Sequence, residues 1–377
     1  MKLMYCIRGL SNSGGMERII TQKMNYLSQN YNYNIYVITT DQHDKEKYFY
    51  LNEKIKHIDL GINYLDDINK NFFKRILIYI QKQKKHEKKL KNIINEIKPE
   101  ILISLGDEDR NFIYKFKNKN IKIVREHHFN KNYLLQNETR NFIYKLKAYY
   151  MYFKDIYLVN KYDEFIVLTE EDKEKWHNKK IKSIPNFINN IPEKSSNYEN
   201  KKIISVGRLE YQKGYDILIN VWNIISKKYP NWILEIYGEG IERESLQNKI
   251  NKLGLEKSFI LKGTVKNIQD KYLESSIYIM SSRFEGMPMV LLESMAYGLP
   301  VVSFDCPCGP KDIIKDNEDG FLVKFGNIEQ MAEKIEKLIL DEEKRKFFGK
   351  NARKNIQRYS QDKIMNQWKE LFESLLR

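Results

Sequence analysis

Cysteine is nearly absent, with only Cys6, Cys306 and Cys308 in a chain of 377 residues. Three cysteines build no disulfide framework, which fits a protein of a reducing compartment. The Cys306-x-Cys308 pair has no second pair and no neighbouring histidines, so it reads as structural rather than as a zinc site. No apolar run comes near the roughly 18 residues that span a bilayer, and the opening MKLMYCIRGLSNSGG holds too short an apolar core for a secretion signal. The expected location is therefore cytoplasmic. Low-complexity tracts are missing too, and 42% hydrophobic with 13% aromatic residues describes a chain that folds throughout. Acidic residues are outnumbered, 50 against 65 basic ones, for a formal net charge of +15. Such an excess suits nucleic acid, anionic lipid or a phosphate-bearing substrate, or reflects a base composition that favours Lys and Asn.

The length predicts two domains. KLMYCI (2–7) reads as a buried strand, followed by a glycine-bearing loop and a helix from near Met16. NIYVIT (34–39), EILISL (100–105), IKIVRE (121–126) and DEFIVLT (163–169) continue the alternation, which predicts a parallel sheet covered on both faces. Residues 184–202 hold two prolines and several Asn and Ser, and read as a linker. A second alternation follows, with strands at KIISVG (202–207), WILEIYG (232–238), SFILKG (258–263), IYIMSS (277–282) and PVVSFD (300–305). The expected fold class is thus α/β, with two Rossmann-like doubly wound domains, 1–185 and 186–359, facing an interdomain cleft. Residues 360–377 form a last helix, capped by Ser360, whose Ile364, Trp368, Leu371, Phe372 and Leu375 pack back on the first domain.

The stretch SSRFEGMPMVLLESMAYGLPVV (281–302) reads as strand, loop, helix, strand, with Pro288 in the first helical turn and Gly298 at the end. Backbone N–H groups near Met287 to Val290 then point into the cleft and suit a phosphate. Glu285 precedes this helix and Glu293 lies within it. If most of the span is helical, eight residues cover roughly 12 Å, comparable with the distance from a sugar to a ribose across a diphosphate. Standing alone, the same spacing describes two solvated helix residues. SVGRLEYQKGYDIL (205–218) adds Gly207, where the backbone can approach a ligand, and Arg208 and Lys213, which can neutralise a leaving diphosphate without a metal. A surface loop with two ordinary cations is the alternative.

Together GRLEYQKG, YGEGIERESLQNKINKLGLEKSFILKGTV and SSRFEGMPMVLLESMAYGLPVV resemble, in order and spacing, the nucleotide-sugar domain of the retaining glycosyltransferases of family four, the group 1 transferases with the GT-B fold. The likeness covers most of residues 201–325. It implies Arg208 and Lys213 on the donor diphosphate, Glu285 on the donor sugar and Glu293 on the ribose. It also implies a nucleobase pocket near Val265, and Gly286, Met287, Met289 and Val290 near the phosphates. GLSNSGGMERII resembles the family's first glycine-rich loop, where Gly14 and Gly15 let a phosphate approach. IVREHHFN resembles its strand-end segment, with His127 at the position of the active-site histidine and His128 as the adjacent alternative. FDCPCGPKDII resembles a variant of members acting on lipid-linked oligosaccharides, with Cys308 where Thr is usual. Asp107-x-Asp109 resembles the metal motif of the other glycosyltransferase fold but stands in the wrong domain, and reads as a loop or helix cap.

The implied reaction moves a hexose or N-acetylhexosamine from a nucleotide diphosphate sugar, UDP-linked by family frequency, with retention and an α-linkage. No cofactor and no metal is expected. Positive charge grows on the sugar and negative charge on the departing phosphate, so Arg208, Lys213 and the helix start would stabilise the phosphate while His127 positions the sugar. The first domain should hold the acceptor. Residues 69–98 place Ile76, Ile80, Gln83, Glu87, Leu90, Ile94 and Ile97 on one seam, with Phe72 and Phe73 near the start and Lys70, Lys74, Arg75, Lys82, Lys84, Lys85, Lys88, Lys89 and Lys91 elsewhere. This segment and the aromatic, basic stretch 141–158 suit either an anionic lipid surface or simple coverage of the sheet. The expected acceptor is a lipid-linked oligosaccharide or polysaccharide precursor, met peripherally at the inner face of the cytoplasmic membrane. Two alternatives stand beside this reading. One is a basic nucleic-acid-binding protein, for which the sequence holds no recognisable module, and the other a sugar-nucleotide epimerase on the same fold.

Overall fold

The computed structural model describes residues 1–67, 71–137, 142–178 and 180–377. The first sheet is built from β1 (Lys2–Cys6), β2 (Asn34–Thr39), β3 (Lys56–Asp59), β4 (Ile101–Ser104), β5 (Lys122–Glu126), β6 (Glu164–Val167) and β7 (Ile181–Ser183). The second contains β8 (Lys202–Val206), β9 (Ile233–Tyr237), β10 (Phe259–Gly263), β11 (Ile277–Met280), β12 (Val301–Asp305) and β13 (Gly320–Lys324). Every pairing is parallel, in the orders β3-β2-β1-β4-β5-β6-β7 and β10-β9-β8-β11-β12-β13. Both orders reverse beside their first strand, so each sheet has a crevice at the carboxyl ends of β1/β4 or β8/β11 where ligands bind in doubly wound folds.

The first half carries helices α1 (Gly15–Asn30), α2 (Phe72–Ile97), α3 (Tyr133–Asn137), α4 (Phe142–Val159) and α5 (Glu170–Trp176). The second carries α6 (Tyr215–Lys228), α7 (Arg243–Lys252), α8 (Ile268–Leu273), α9 (Met289–Ala296), α10 (Pro310–Ile313), α11 (Ile328–Leu340) and α12 (Glu342–Ile356), and α13 (Gln361–Leu376) closes the chain. Strand periodicity sorts the core into layers. Leu3 and Tyr5 of β1 meet α1 on one face, whereas Met4 and Cys6 meet Leu90, Ile94 and Ile97 of α2 on the other. Ile364, Met365, Trp368, Leu371 and Phe372 of α13 join the α1 side of the first sheet. Ser360 occupies the N-cap of α13, but its side chain makes no capping hydrogen bond. The chain passes between the sheets twice, at 184–201 and near 356–361, and the passages meet where Ile188 and Ser360 form a bridge.

β3, β7 and β13 went unforeseen; β3 and β7 are edge strands of only four and three residues, too short for a strand period to show. The apolar seam expected along α2 holds only over its second half. Ile76 and Ile80 are exposed, as are Leu77 and Tyr79. Lys70 lies outside the described residues, as do the side chains of Phe72 and Phe73.

Candidate functional site

The loops after β8 and β11 meet at the crevice of the second sheet. Lys213 ends a short 3-10 turn, and Gly214 follows with φ +65° as the N-cap of α6. A Cβ there would lie 2.2 Å from the Ser281 carbonyl, so glycine is required both by the left-handed backbone and by the approach of the next loop. That approach brings Lys213 Nζ to 2.7 Å from Glu285 Oε1. Ser282 Oγ donates to Glu285 Oε1 at 2.6 Å, and Gln212 Nε2 donates to Oε2 at 3.3 Å and to the Phe284 carbonyl at 3.0 Å. The carboxylate is thus fixed by one cation and two neutral donors, with 7% of the Glu285 side chain and 16% of the Lys213 side chain exposed.

Other expected residues gather less tightly. Gly207 borders Lys213, since a Cβ at Gly207 would lie 3.2 Å from the lysine Cδ. Arg208 turns away: its side chain is 68% exposed and pairs with Glu210 Oε1 at 3.1 Å. Val265 is exposed on the loop beyond β10, while Met287 is buried and Met289 and Val290 are partly buried in the core under α9. Pro288 is the N-cap of α9 rather than part of its first turn, and Gly298 follows the helix with φ +79°. Only Met289–Ala296 is helical, so half of the Glu285 to Glu293 span is loop and the helical rise over eight residues does not apply. Glu293 reaches across the cleft to pair with Arg18 of α1, and its second oxygen accepts from Tyr272 Oη at 3.3 Å.

The first sheet presents its own crevice, a cavity of about 180 Å³. It is lined by Arg8 and Asn12 after β1, by Asp107 and Glu108 after β4, and by His127 and His128 after β5. Gly14 is the N-cap of α1, and Gly15 begins the helix with open space where a Cβ would stand. His127 sits among aromatic rings, 5.6 Å from Trp176 and 5.7 Å from Phe165 between centroids, and its buried Nε2 has no partner. Burial, then the neighbouring Arg125 charge, pushes this imidazole down to about 3. His128 instead places Nε2 3.2 Å from Glu126 Oε2.

Asp107 and Asp109 lie in the loop after β4, as expected, and there join an ion network rather than cap a helix, with Asp109 buried and Asp107 half-exposed. Asp107 Oδ1 lies 3.3 Å from Arg125 and 3.6 Å from Arg110, and Asp109 accepts from Ser104 Oγ at 2.9 Å. Burial raises the Asp109 carboxyl to about 7 in spite of Arg125. Among the described residues, no group of three or more His, Cys, Asp or Glu is placed to hold a metal ion.

Contacts across the domain seam escaped the sequence reading. Asn130 donates to the Glu285 carbonyl at 2.9 Å, and a Cβ on Gly286 would lie 2.4 Å from the His128 carbonyl. Glu171 accepts from the Cys308 N–H at 2.9 Å, and the Cys308 thiol lies 3.5 Å from Lys175 Nζ. Cys308 adopts φ +66°, a conformation that Cβ sterics disfavour. Gln212 and Ser282 flank residues already singled out. Arg18, Asn130 and Glu171 had no local signal, because their partners lie 275, 155 and 137 positions away.

Comparison with known proteins accords with this geometry. The description "Glycosyl transferases group 1" matches residues 187–355. An uncharacterized glycosyltransferase of Haemophilus influenzae is 31% identical over 375 residues, 98% of this chain and 99% of its own. The Campylobacter jejuni GalNAc-α-(1→4)-GalNAc-α-(1→3)-diNAcBac-PP-undecaprenol α-1,4-N-acetyl-D-galactosaminyltransferase is 26% identical, with 98% of each chain covered. A Staphylococcus aureus TarM mutant, solved with fondaparinux, α-GlcNAc-glycerol and UDP, shares the fold at a TM-score of 0.79 and 20% identity, over 98% of this chain and 99% of its own.

Proposed function

Because the chain belongs to the group 1 glycosyltransferases, we propose that it moves a hexose or N-acetylhexosamine from a UDP-linked donor to a lipid-linked or polysaccharide acceptor, with retention and an α-linkage. The Lys213–Glu285 pair at the β8/β11 crevice carries this reading. In it, Glu285 accepts hydrogen bonds from the donor sugar, while Lys213 and the backbone N–H groups at the start of α9 face the diphosphate. Fixed donors at the departing phosphate act where negative charge develops, which is where stabilisation accelerates transfer. Arg208 joins by rotating off Glu210, a small step because exposed ion pairs are worth about 0–1 kcal/mol. Glu293 takes the ribose once Arg18 yields one oxygen, and Val265 borders the base. The acceptor hydroxyl attacks on the face that the phosphate leaves, and the phosphate accepts its proton. No metal takes part, so turnover should survive EDTA.

The Campylobacter relative is named for a substrate on undecaprenyl diphosphate, and an acceptor of that kind is reached at a membrane. Among the described residues, no helix is long and apolar enough to cross a bilayer. Leu77 and Ile80 of α2 and Tyr150, Phe153 and Tyr157 of α4 are exposed, as are Lys84 and Lys85 of α2 and Lys145 and Lys147 of α4. Exposed apolar side chains and cations on the same helices suit an anionic leaflet, on which each cation contributes about 1 kcal/mol. A cavity of about 270 Å³ lies between Tyr79 of α2 and Lys147 of α4 and borders the first crevice through Asp107 and Glu108, which offers the acceptor a passage inward.

Thermal-shift titration with UDP, GDP and their common sugars tests the donor site, since a ligand at 100 times its Kd stabilises by about 2.7 kcal/mol. UDP should raise Tm, and Lys213→Ala should abolish the rise. A protein that responds to no nucleotide would remove the reading. Flotation with vesicles of phosphatidylglycerol, lost in high salt and absent with neutral lipid, is the outcome expected at the α2/α4 face.

A further inference from the structure

An ion pair crosses the cleft at the carboxylate that the ribose must claim. Arg18 Nη2 donates to Glu293 Oε1 and so joins the first turn of α1 to α9, with 34% of the arginine side chain and 19% of the glutamate side chain exposed. That turn is closed by Arg18 N, which donates to the Gly14 carbonyl at 3.1 Å. Met16 and Glu17, just before the arginine, line the first-domain cavity. Gly15, its neighbour at i,i+3 on the helix, has nothing within 4 Å of the place where a Cβ would stand. Among the described residues, Arg18 has no other ion-pair partner.

The two oxygens of Glu293 are held by unlike groups. Oε2 accepts from the Tyr272 hydroxyl at 3.3 Å, and Tyr272 is 1% exposed with its ring stacked 5.5 Å from that of Tyr297. This neutral donor is locked in place and can stay, because a carboxylate oxygen has room for a second donor. Arg18 stands at the end of a long side chain and is the contact that a ribose hydroxyl displaces. A guanidinium taken from a half-buried carboxylate needs another anion. Ribose hydroxyls are neutral and supply none, so a nucleoside alone bears the whole cost of the exchange. A nucleoside diphosphate brings the anion with it. Glu293 lies four residues beyond Met289, one helical turn or about 6 Å from the start of α9, where the donor reading puts the phosphates. An arginine that reaches Glu293 covers that distance by rotating its side chain, and its planar fork meets two phosphate oxygens at once.

We propose that Arg18 is a further donor-binding residue, which gives up Glu293 to the ribose and turns to the diphosphate, so that the leaving group is held from both domains. The proposal rests on the donor reading above and adds to it a cation from the first domain.

The test compares the Kd of UDP with that of uridine, by NMR titration, in the wild type and in Arg18→Met. The variant should bind UDP about tenfold more weakly, having lost charge-assisted hydrogen bonds to the phosphates. It should bind uridine up to about fivefold more tightly, because the competitor for Glu293 is gone and a partly exposed ion pair is worth that much. Arg18→Lys keeps the charge without the fork and should recover part of the UDP affinity. The urea midpoint of each variant shows that it is folded. Both ligands moving in the same direction in Arg18→Met, or neither moving, would overturn the proposal and leave the donor reading in place. A wild type that binds neither UDP nor uridine would bring down both.

Discussion

Two lysine–glutamate pairs, one in each domain, have the same chemistry and opposite surroundings. Lys23–Glu126 is 2% exposed at both ends and lies under Trp368, whereas Lys213–Glu285 is 16% and 7% exposed and opens on the cleft. A sealed pair has no alternative partner, because ions removed from water must keep each other. A pair at a crevice can exchange its contacts for those of a ligand, especially where neutral donors such as Ser282 and Gln212 already hold the carboxylate. The first pair therefore organises structure and the second is available for chemistry. Burial decides the role, and the identity of the residues does not.

The largest effect expected from breaking this contrast is on stability. Glu126→Ala strands a buried ammonium and should cost about 3–5 kcal/mol, read as a lower urea midpoint, with most of the loss recovered in Lys23→Met/Glu126→Gln. At the cleft the cost should move from stability to rate. Lys213→Ala and Glu285→Gln should each reduce turnover about 100- to 1,000-fold, in the range found when one transition-state donor is removed. Their Tm should fall little, since Ser282 and Gln212 remain on the carboxylate and Lys213 can reach water. A Glu285→Gln protein that keeps its turnover would break the contrast from the other side.

These two sites were unequally legible in the sequence. Lys213 and Glu285 stand in two short runs that follow the neighbouring strands β8 and β11, and the resemblance of both runs to one family, rather than strand periodicity alone, is what put them in one site. The first-domain grouping joins Lys23 in α1, Glu126 at the end of β5 and Trp368 in α13, and no local period links them. Trp368 was recognised as a core residue of an amphipathic helix, which it is, but a helical period cannot say which buried cation lies beneath the ring. The E-x7-E distance failed for a related reason. Helix length was inferred from Pro288 as a first-turn residue, and its actual place at the N-cap leaves the first half of the span as loop. Arg208 was placed by proximity in sequence to Lys213, and its side chain found Glu210 instead.

The sealed region should also show its titration in stability. The Asp109 carboxyl is raised from 3.8 to about 7, so its contribution is complete below about pH 4 and is lost as the pH rises through 7. The His127 imidazole is lowered from 6.5 to about 3, so the unfolded chain gains its proton first and stability falls as the pH drops below 6.5. Between pH 4 and 6.5 the two oppose each other, each with a slope of up to about 1.4 kcal/mol per pH unit. Asp109→Asn should expose the histidine alone, as a urea midpoint that declines from pH 6.5 to 4 more steeply than in the wild type. An unchanged profile would mean that neither group is as dry as its surroundings indicate.

The smallest effect belongs to the most exposed pair, Arg208–Glu210, and it sharpens the role of the open site. Glu210→Gln should change stability by less than about 1 kcal/mol, because a solvated ion pair contributes little. It nevertheless releases Arg208 from its only described partner, so if the guanidinium is drawn to the diphosphate, UDP should bind up to about fivefold more tightly, equivalent to about 1 kcal/mol. Arg208→Met should weaken UDP by a similar factor, and the difference between the two variants should shrink in high salt, as expected for a charge acting near the surface. Equal UDP affinity in both variants and the wild type would leave Lys213 as the sole second-domain cation at the donor, and that domain's neutralisation of the leaving phosphate would then rest on that lysine and the backbone at the start of α9.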